Sequence, residues 1–185
     1  MDEIQKTFTI QWIGPFHSLQ EMDAYFQLGE DDLVCHKSIF SFYYFRGNKK
    51  GRGFIKTRLY NYVGIHRKYD VSTRLNKNHE HYKDFKENEN MRIWIGAFAN
   101  PSDQTPQNTE DVETALISTY QPTENDKKKK CIPKNSMCII NLWYKKDETP
   151  WKKKPESVRN LDDVLIFEKR GKEYRYLVGK LSEIK

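Results

Sequence analysis

The seven-residue run from Ile39 to Phe45, Ile-Phe-Ser-Phe-Tyr-Tyr-Phe, restricts the possible fold more than any other stretch of the chain. Successive side chains of a strand point to opposite faces, so this run places aromatic rings on both faces. A strand that is apolar on both faces must be covered on both sides. The run therefore predicts a central strand of a packed sheet.

Two further strands and a helix are predicted downstream of this run. The glycine- and lysine-rich segment from Gly47 to Gly53 is typical of a turn, and it leads into a second strand from about Ile55 to Ile65. The first two strands then form an antiparallel hairpin. Met91 to Ala99 is a third buried strand. The stretch from Asp70 to about Phe85 is predicted to be helical, because an aspartate and a serine can cap its first turn.

Short elements are predicted on either side. Lys6 to Ile13 is a strand, and Ser18 to about Leu28 is a helix that begins with a capping box. Met137 to Tyr144 is a strand. Val164 to Phe167 and Tyr174 to Lys180 are two strands that form a terminal hairpin.

The charge balance is compatible with a nucleic-acid partner. Lysine and arginine outnumber acidic residues 32 to 26, which gives a net charge of +6 and a pI near 9.0. A basic excess suits a polyanionic partner, although a solvated lysine-rich surface explains the charge equally well. The three cysteines lack the spacing of a zinc site or a disulfide framework. The N-terminus has no signal-peptide pattern and no apolar run reaches membrane-spanning length, so we predict a soluble cytoplasmic protein.

One carboxylate is predicted to point toward the core. In the helix that starts near Thr109, helical spacing places Glu113 on one stripe with Leu116, Ile117 and Tyr120. An unpaired buried carboxylate is costly, so Glu113 needs a cation, a metal or a hydrogen-bond donor nearby. The sequence therefore predicts a polar site built against the core.

Polar residues on these elements follow a recognisable order. Ser41-Phe-Tyr43-Tyr-Phe-Arg46 is followed by Tyr62-Val-Gly64, and then by Arg74, Glu113 and Asn125. This order resembles the GIY-YIG nuclease family over roughly Ile39 to Asn125, about half the chain. The resemblance implies a metal-dependent endonuclease that hydrolyses phosphodiester bonds of DNA, most simply double-stranded DNA.

The family fold matches the order of the predicted elements. By this resemblance we expect an α+β fold with a small central antiparallel three-stranded sheet flanked by helices. An N-terminal strand and helix and a C-terminal β-hairpin are then additions to it. The corresponding segments are an N-terminal extension over 1–37, a nuclease core over 38–126 and a β-rich extension over 127–185, all within one compact domain.

Five residues take the family's site positions under this resemblance. Tyr43 and Tyr62 match the two motif tyrosines, and Arg74 matches the arginine after the second strand. Glu113 matches the single metal ligand and Asn125 the terminal asparagine. The hypothesis requires all five to meet in one exposed cleft, with the two tyrosines on the same face of the sheet.

Three accessory candidates surround this set. Ile65 stands where some members of the family carry a lysine, so His66 and Arg67 are candidates for that work. The family often has a histidine one helical turn after the arginine. That place is Asn78 here, and His79 follows one residue later.

The implied chemistry has a physical rationale. Phosphodiester hydrolysis needs an activated water, positive charge near the phosphate oxygens and help for the leaving alkoxide. Glu113 can hold Mg²⁺ or Mn²⁺ if water and phosphate oxygens complete the coordination. Arg74 can grip a phosphate with a planar fork. Tyr43, beside a metal and an arginine, is expected to become acidic enough to act as the base, while Tyr62 orients the phosphate or the water.

Basic residues of two loops are predicted to contact the DNA backbone, namely Arg46, Lys49, Lys50, Arg52, Lys128 and Lys129. Simpler alternatives stay open for each residue. Strand tyrosines often serve only in packing, Glu113 can form a structural ion pair with Arg74, and lysine runs are often solvated loops. At the level of function, the alternative is a non-catalytic nucleic-acid-binding module that retains the nuclease fold.

Overall fold

The computed structural model of the protein describes residues 4, 6–28, 40–48, 60–66, 74–85 and 90–181. Within these ranges the helices are α1 (Leu19–Leu28) and α2 (Pro106–Tyr120). Crossing a bilayer would need a longer and more apolar helix than either of these two. The strands are β1 (Lys6–Phe16), β2 (Phe40–Gly47), β3 (Tyr60–Ile65), β4 (Arg92–Phe98), β5 (Met137–Tyr144), β6 (Val164–Arg170) and β7 (Glu173–Gly179).

All seven strands belong to one mixed, curled sheet in the order β3-β2-β4-β1-β5-β6-β7. β1 and β5 run parallel, and every other neighbouring pair is antiparallel. The predicted fold, a small central three-stranded sheet flanked by helices, is therefore wrong. β2, β3 and β4 are neighbours as predicted, but they form only one end of a larger sheet.

The N-terminal strand is the physical reason for the larger sheet. Phe8, Ile10 and Trp12 are buried in the core on one face of β1, while Ile13 and Phe16 are buried on the other. A strand covered on both faces belongs inside a sheet, where neighbours also satisfy both of its edges. β1 accordingly pairs with β4 and β5. The N-terminal strand and the C-terminal hairpin are thus integral strands and not additions around a smaller core.

β2 contains the aromatic run. The prediction that this strand lies inside the sheet and is covered on both faces is confirmed. Each residue from Phe40 to Phe45 is at most 2% exposed. Phe42 and Tyr44 pack in the same core cluster as the inner face of α2. Tyr43 and Phe45 project from the opposite face, into a second cluster that contains α1 and part of the segment 75–85.

The segment from Leu75 to Phe85 forms successive turns. The predicted helix from Asp70 to Phe85 is therefore wrong over this stretch, and residues 70–73 lie outside the described ranges. An asparagine side chain supplies a local alternative to helical bonding, because Asn78 N–H donates to Asn76 Oδ1 over 2.9 Å. Bonds such as Tyr82 N–H to the His79 carbonyl, at 3.0 Å, then continue the chain as turns.

Candidate functional site

A pocket of about 960 Å³ opens beside β3, the edge strand at one end of the sheet. Side chains from β2 and β3, from the turn segment, from α2 and from the loop after α2 line it. The pocket brings together all five residues that the sequence predicts as catalytic: Tyr43, Tyr62, Arg74, Glu113 and Asn125. Its wall also contains Ile65, His66, Asn76, Asn78, His79, Glu80, His81, Ile117, Asp126, Lys127 and Lys128.

Tyr43 and Tyr62 lie on the same face of the sheet. Tyr43 pairs across the hairpin with Gly64, and Phe45 pairs with Tyr62. The two tyrosine rings stack with centroids 6.0 Å apart. An ideal Cβ built on Gly64 would lie 2.3 Å from Cζ of Tyr43, so only a glycine leaves space for this ring. The glycine of the second motif therefore sets the orientation of the first motif's tyrosine.

His79 is part of the site, although sequence spacing put it one residue late. It is 8% exposed, and its Nε2 lies 2.9 Å from the Tyr43 hydroxyl. Its Nδ1 accepts the backbone N–H of His81 over 3.3 Å. A neutral imidazole that accepts at Nδ1 carries its proton on Nε2, which then donates to Tyr43. This segment forms turns and not a helix, and the turns bring His79 within hydrogen-bond distance of Tyr43.

Burial controls the protonation of these groups. It raises the pKa of Tyr43 above its usual range, and the nearby Tyr62 adds to this increase. A hydrogen bond from Arg74 and its positive charge act in the opposite direction. Burial also raises the pKa of Tyr62, and the charge of Glu113 contributes next. The structure thus gives Tyr43 a raised pKa, and at neutral pH the group is a phenol. The lowered pKa expected from the sequence requires a metal beside the tyrosine.

Burial, followed by the nearby His81 and Arg74, lowers the pKa of His79 to about 4 from an ordinary 6.5. Between these pH values the unfolded chain binds a proton that the folded protein does not, so stability falls as pH falls. We expect this residue to contribute a loss of up to about 1.4 kcal/mol per pH unit in that window. His79→Gln should flatten the decline in urea unfolding measured from neutral pH to about pH 4, while a control at the exposed His17, His17→Gln, should not. Equal slopes for wild type and His79→Gln would contradict this account.

Glu113 lies on the apolar stripe of α2, as predicted, and is 8% exposed. Its Oε2 accepts a hydrogen bond from Lys128 Nζ at 2.7 Å. The same ammonium lies 3.4 Å from Oε1 of Glu110 on the preceding turn of the helix. The cation that the buried carboxylate needs is therefore supplied by the loop after α2. Lys128, predicted to contact the DNA backbone, thus pairs with Glu113, and no spacing in the sequence indicated this contact.

Asn125 holds the loop against the sheet. Its Oδ1 accepts the backbone N–H of Val63 at 2.9 Å, and its Nδ2 donates to the Val63 carbonyl at 2.7 Å. Beside it, Asn61 and Thr123 exchange similar bonds, with Asn61 N–H donating to Thr123 Oγ1 and Thr123 N–H to Asn61 Oδ1, each over 2.8 Å. The asparagine thus acts as a positioning residue that places the loop carrying Lys128.

The other predicted residues are distributed more widely. Arg74 is exposed on the pocket wall. His66 lines the pocket, and its buried Nδ1 has no hydrogen-bond partner within the described residues. Arg46 lies away from the pocket, with its guanidinium donating to the Glu156 carbonyl at 3.0 Å. Lys129 does not line the pocket, and its carbonyl accepts from Gln121. Arg67, Lys49, Lys50 and Arg52 lie outside the described residues.

No protein-family model, curated protein or solved structure matches the chain.

The donor chemistry of the pocket is compatible with a divalent metal ion bound mainly by water and substrate. Across the described ranges, no group of three or more His, Cys, Asp and Glu side chains is placed to hold a metal. Glu113 does offer one anionic oxygen on the wall of an open pocket, and the Lys128 ammonium already pairs with that oxygen. Mg²⁺ commonly uses one or two carboxylates and completes its octahedron with water and phosphate oxygens. The residues present thus fit Mg²⁺ or Mn²⁺ as a weakly held ion.

Proposed function

We propose that the protein is a metal-dependent endonuclease that hydrolyses phosphodiester bonds of DNA in this pocket. One observation carries the proposal: the five polar residues that resemble the GIY-YIG site, drawn from separate elements, line a single open pocket. A buried carboxylate, an exposed arginine and hydrogen-bonded phenols in one concave site suit phosphoryl chemistry. The proposal concerns the site residues and does not depend on the three-stranded fold.

Each residue has a role that its contacts support. Arg74, exposed on the wall, is suited to bind a phosphate with its fork of N–H donors. The Tyr43 hydroxyl lies 2.9 Å from His79 Nε2, and the nearby Arg74 lowers the pKa of Tyr43 against the larger effect of burial. We assign Tyr43, once it has given up its own phenolic proton to solvent, as the acceptor of the proton released by the attacking water. Tyr62, which is more exposed, faces the substrate and orients it.

Glu113 would hold Mg²⁺ or Mn²⁺, which when bound supplies positive charge to the phosphate and lowers the pKa of Tyr43. Asn125 does not touch the reacting atoms in this account. It fixes the position of the loop through Val63.

Nicking of supercoiled plasmid in Mg²⁺ or Mn²⁺, and its absence in EDTA, tests the proposal. Arg74→Lys should lower the nicking rate about 10²-fold, because a point charge replaces a planar fork. Arg159→Lys is the matched control, since that arginine side chain is 75% exposed and pairs only weakly with Glu156. No nicking by the wild-type protein with DNA binding retained would identify a non-catalytic binding module instead. Equal rates for Arg74→Lys and wild type would remove Arg74 from the site.

A further inference from the structure

Lys128 is held at the position where the proposed metal site needs a cation. Its Nζ is 2.7 Å from Oε2 of Glu113 and 3.4 Å from Oε1 of Glu110. The lysine side chain is 21% exposed and that of Glu113 only 11%, so the pair is shielded from bulk water. Shielding strengthens an ion pair relative to one on the open surface.

The loop is built so that this lysine, among four in succession, reaches the carboxylate. Lys128 has φ 67°, a left-handed backbone that a residue with a side chain adopts only when its surroundings enforce it. Those surroundings are fixed on both sides. Asn125 is bonded to the backbone of β3 at Val63. After it, the Lys129 carbonyl accepts from the Gln121 side chain at 2.7 Å.

A divalent cation on Glu113 would meet the positive charge of Lys128 at hydrogen-bond distance from the same oxygen. Two cations in contact with one carboxylate repel each other, so one must leave before the other binds. The Lys128 ammonium can move toward a bound phosphate, because Lys128 and Arg74 line the same pocket and a phosphate would enter there.

We propose that Lys128 is an internal competitor for the divalent cation at Glu113 and that phosphates of the substrate release it. This inference rests on the proposed metal site. In the free protein the ammonium neutralises Glu113 and keeps metal affinity low. When DNA enters, a phosphate takes over the ammonium, and the repulsion between Lys128 and a divalent cation at Glu113 is removed. Metal and DNA then bind cooperatively, and by linkage each raises the affinity for the other by the same factor.

Mn²⁺ binding to the full chain, followed by electron paramagnetic resonance of the free ion, tests this inference without measuring cleavage. Lys128→Met removes the charge and keeps the side-chain length and the backbone preference. It should bind Mn²⁺ about tenfold more tightly than wild type, a coupling within the usual allosteric range. Lys130→Met, which changes an exposed lysine of the same run, is the matched control and should behave as wild type. Lys128→Arg keeps the positive charge and should retain the weak affinity.

Addition of a short DNA duplex gives the second readout. It should raise the Mn²⁺ affinity of wild type and of Lys130→Met by a larger factor than that of Lys128→Met, in which phosphate oxygens can add ligands but there is no ammonium to displace. Equal Mn²⁺ affinity in Lys128→Met and wild type, with binding lost in Glu113→Gln, would overturn the competition and leave the metal site in place. Absence of Mn²⁺ binding in every protein, with and without DNA, would overturn the metal site itself.

Discussion

Glu113→Gln is expected to abolish metal-supported nicking of plasmid, with a loss of at least about 10²–10³-fold, while the protein still binds DNA. The amide has the size of the carboxylate but no charge for a divalent ion. It also leaves Lys128 without its 2.7 Å partner. The ammonium then keeps only the more distant Glu110 at 3.4 Å and can contact a phosphate, so affinity for DNA should be equal or higher. Nicking assays and fluorescence anisotropy of a labelled duplex measure the two effects.

Glu110→Gln is the matched control for this variant. It makes the same chemical change one turn away on α2, at a side chain that is 39% exposed and lies 3.4 Å from the same ammonium. It should cut plasmid at close to the wild-type rate. Nicking by Glu113→Gln at the wild-type rate would show that Glu113 is not the metal ligand and that its pair with Lys128 is structural only.

Gly64→Ala is expected to disable the site through Tyr43. The added methyl group would lie 2.3 Å from Cζ and 2.5 Å from the hydroxyl oxygen of the buried ring. Tyr43 is fully buried, so the ring cannot move without disturbing Phe45 and His79. Overpacking of this kind should lower the free energy of unfolding by about 1–3 kcal/mol. Displacement of the hydroxyl by roughly 1 Å should lower the nicking rate about 10²-fold.

Two further variants separate the loss of stability from the loss of the site. The Tyr43→Leu variant has no ring for the added methyl group to meet. In urea unfolding, the double variant with Gly64→Ala should therefore have nearly the same free energy of unfolding as Tyr43→Leu alone. Gly96→Ala also creates a close contact, 2.9 Å from a ring carbon of Trp12, but in the other core cluster. It should destabilise the protein and leave nicking per folded molecule unchanged. A Gly64→Ala protein with wild-type stability and rate would contradict the steric account.

Local patterns predicted two of the elements that build the site. The aromatic run identified β2 as a doubly covered strand, and each of its residues from Phe40 to Phe45 is buried. Helical spacing placed Glu113 on the inward stripe of α2, where it lies. Both features depend on the period of side chains within one element, so a single stretch of sequence contains the information.

The size of the sheet depends on pairings between distant segments. β1 lies beside β5, with Phe8 opposite Ile139 in a parallel register. No turn links these strands, and parallel pairing leaves no hairpin signal in the sequence. The alternating burial of β5 would look the same in a small sheet as in this one. The prediction of a three-stranded central sheet failed for that reason, although each of the seven described strands was predicted individually.

The positions of His79 and Lys128 in the site depend on local backbone conformation that side-chain spacing does not predict. His79 reaches Tyr43 because the segment around it forms turns, which the helical spacing assumed for Asp70 to Phe85 cannot describe. Lys128 is one of four successive lysines with identical chemistry. Only its left-handed backbone and the bonds around it distinguish it from Lys127, Lys129 and Lys130.

The residues that complete the pocket also protect the protein from self-association. The outer edge of β3 is the kind of surface onto which another chain can add a strand, with aggregation as the result. The side-chain amide of Asn125 forms hydrogen bonds with the backbone N–H and carbonyl of Val63 on this edge. Nearby, Glu124 N–H donates to the Asn61 carbonyl at 3.0 Å. Opening this loop would therefore uncover a template for intermolecular β-pairing at the same time as it dismantles the pocket. The same few hydrogen bonds therefore shape the pocket and cover the edge of the sheet.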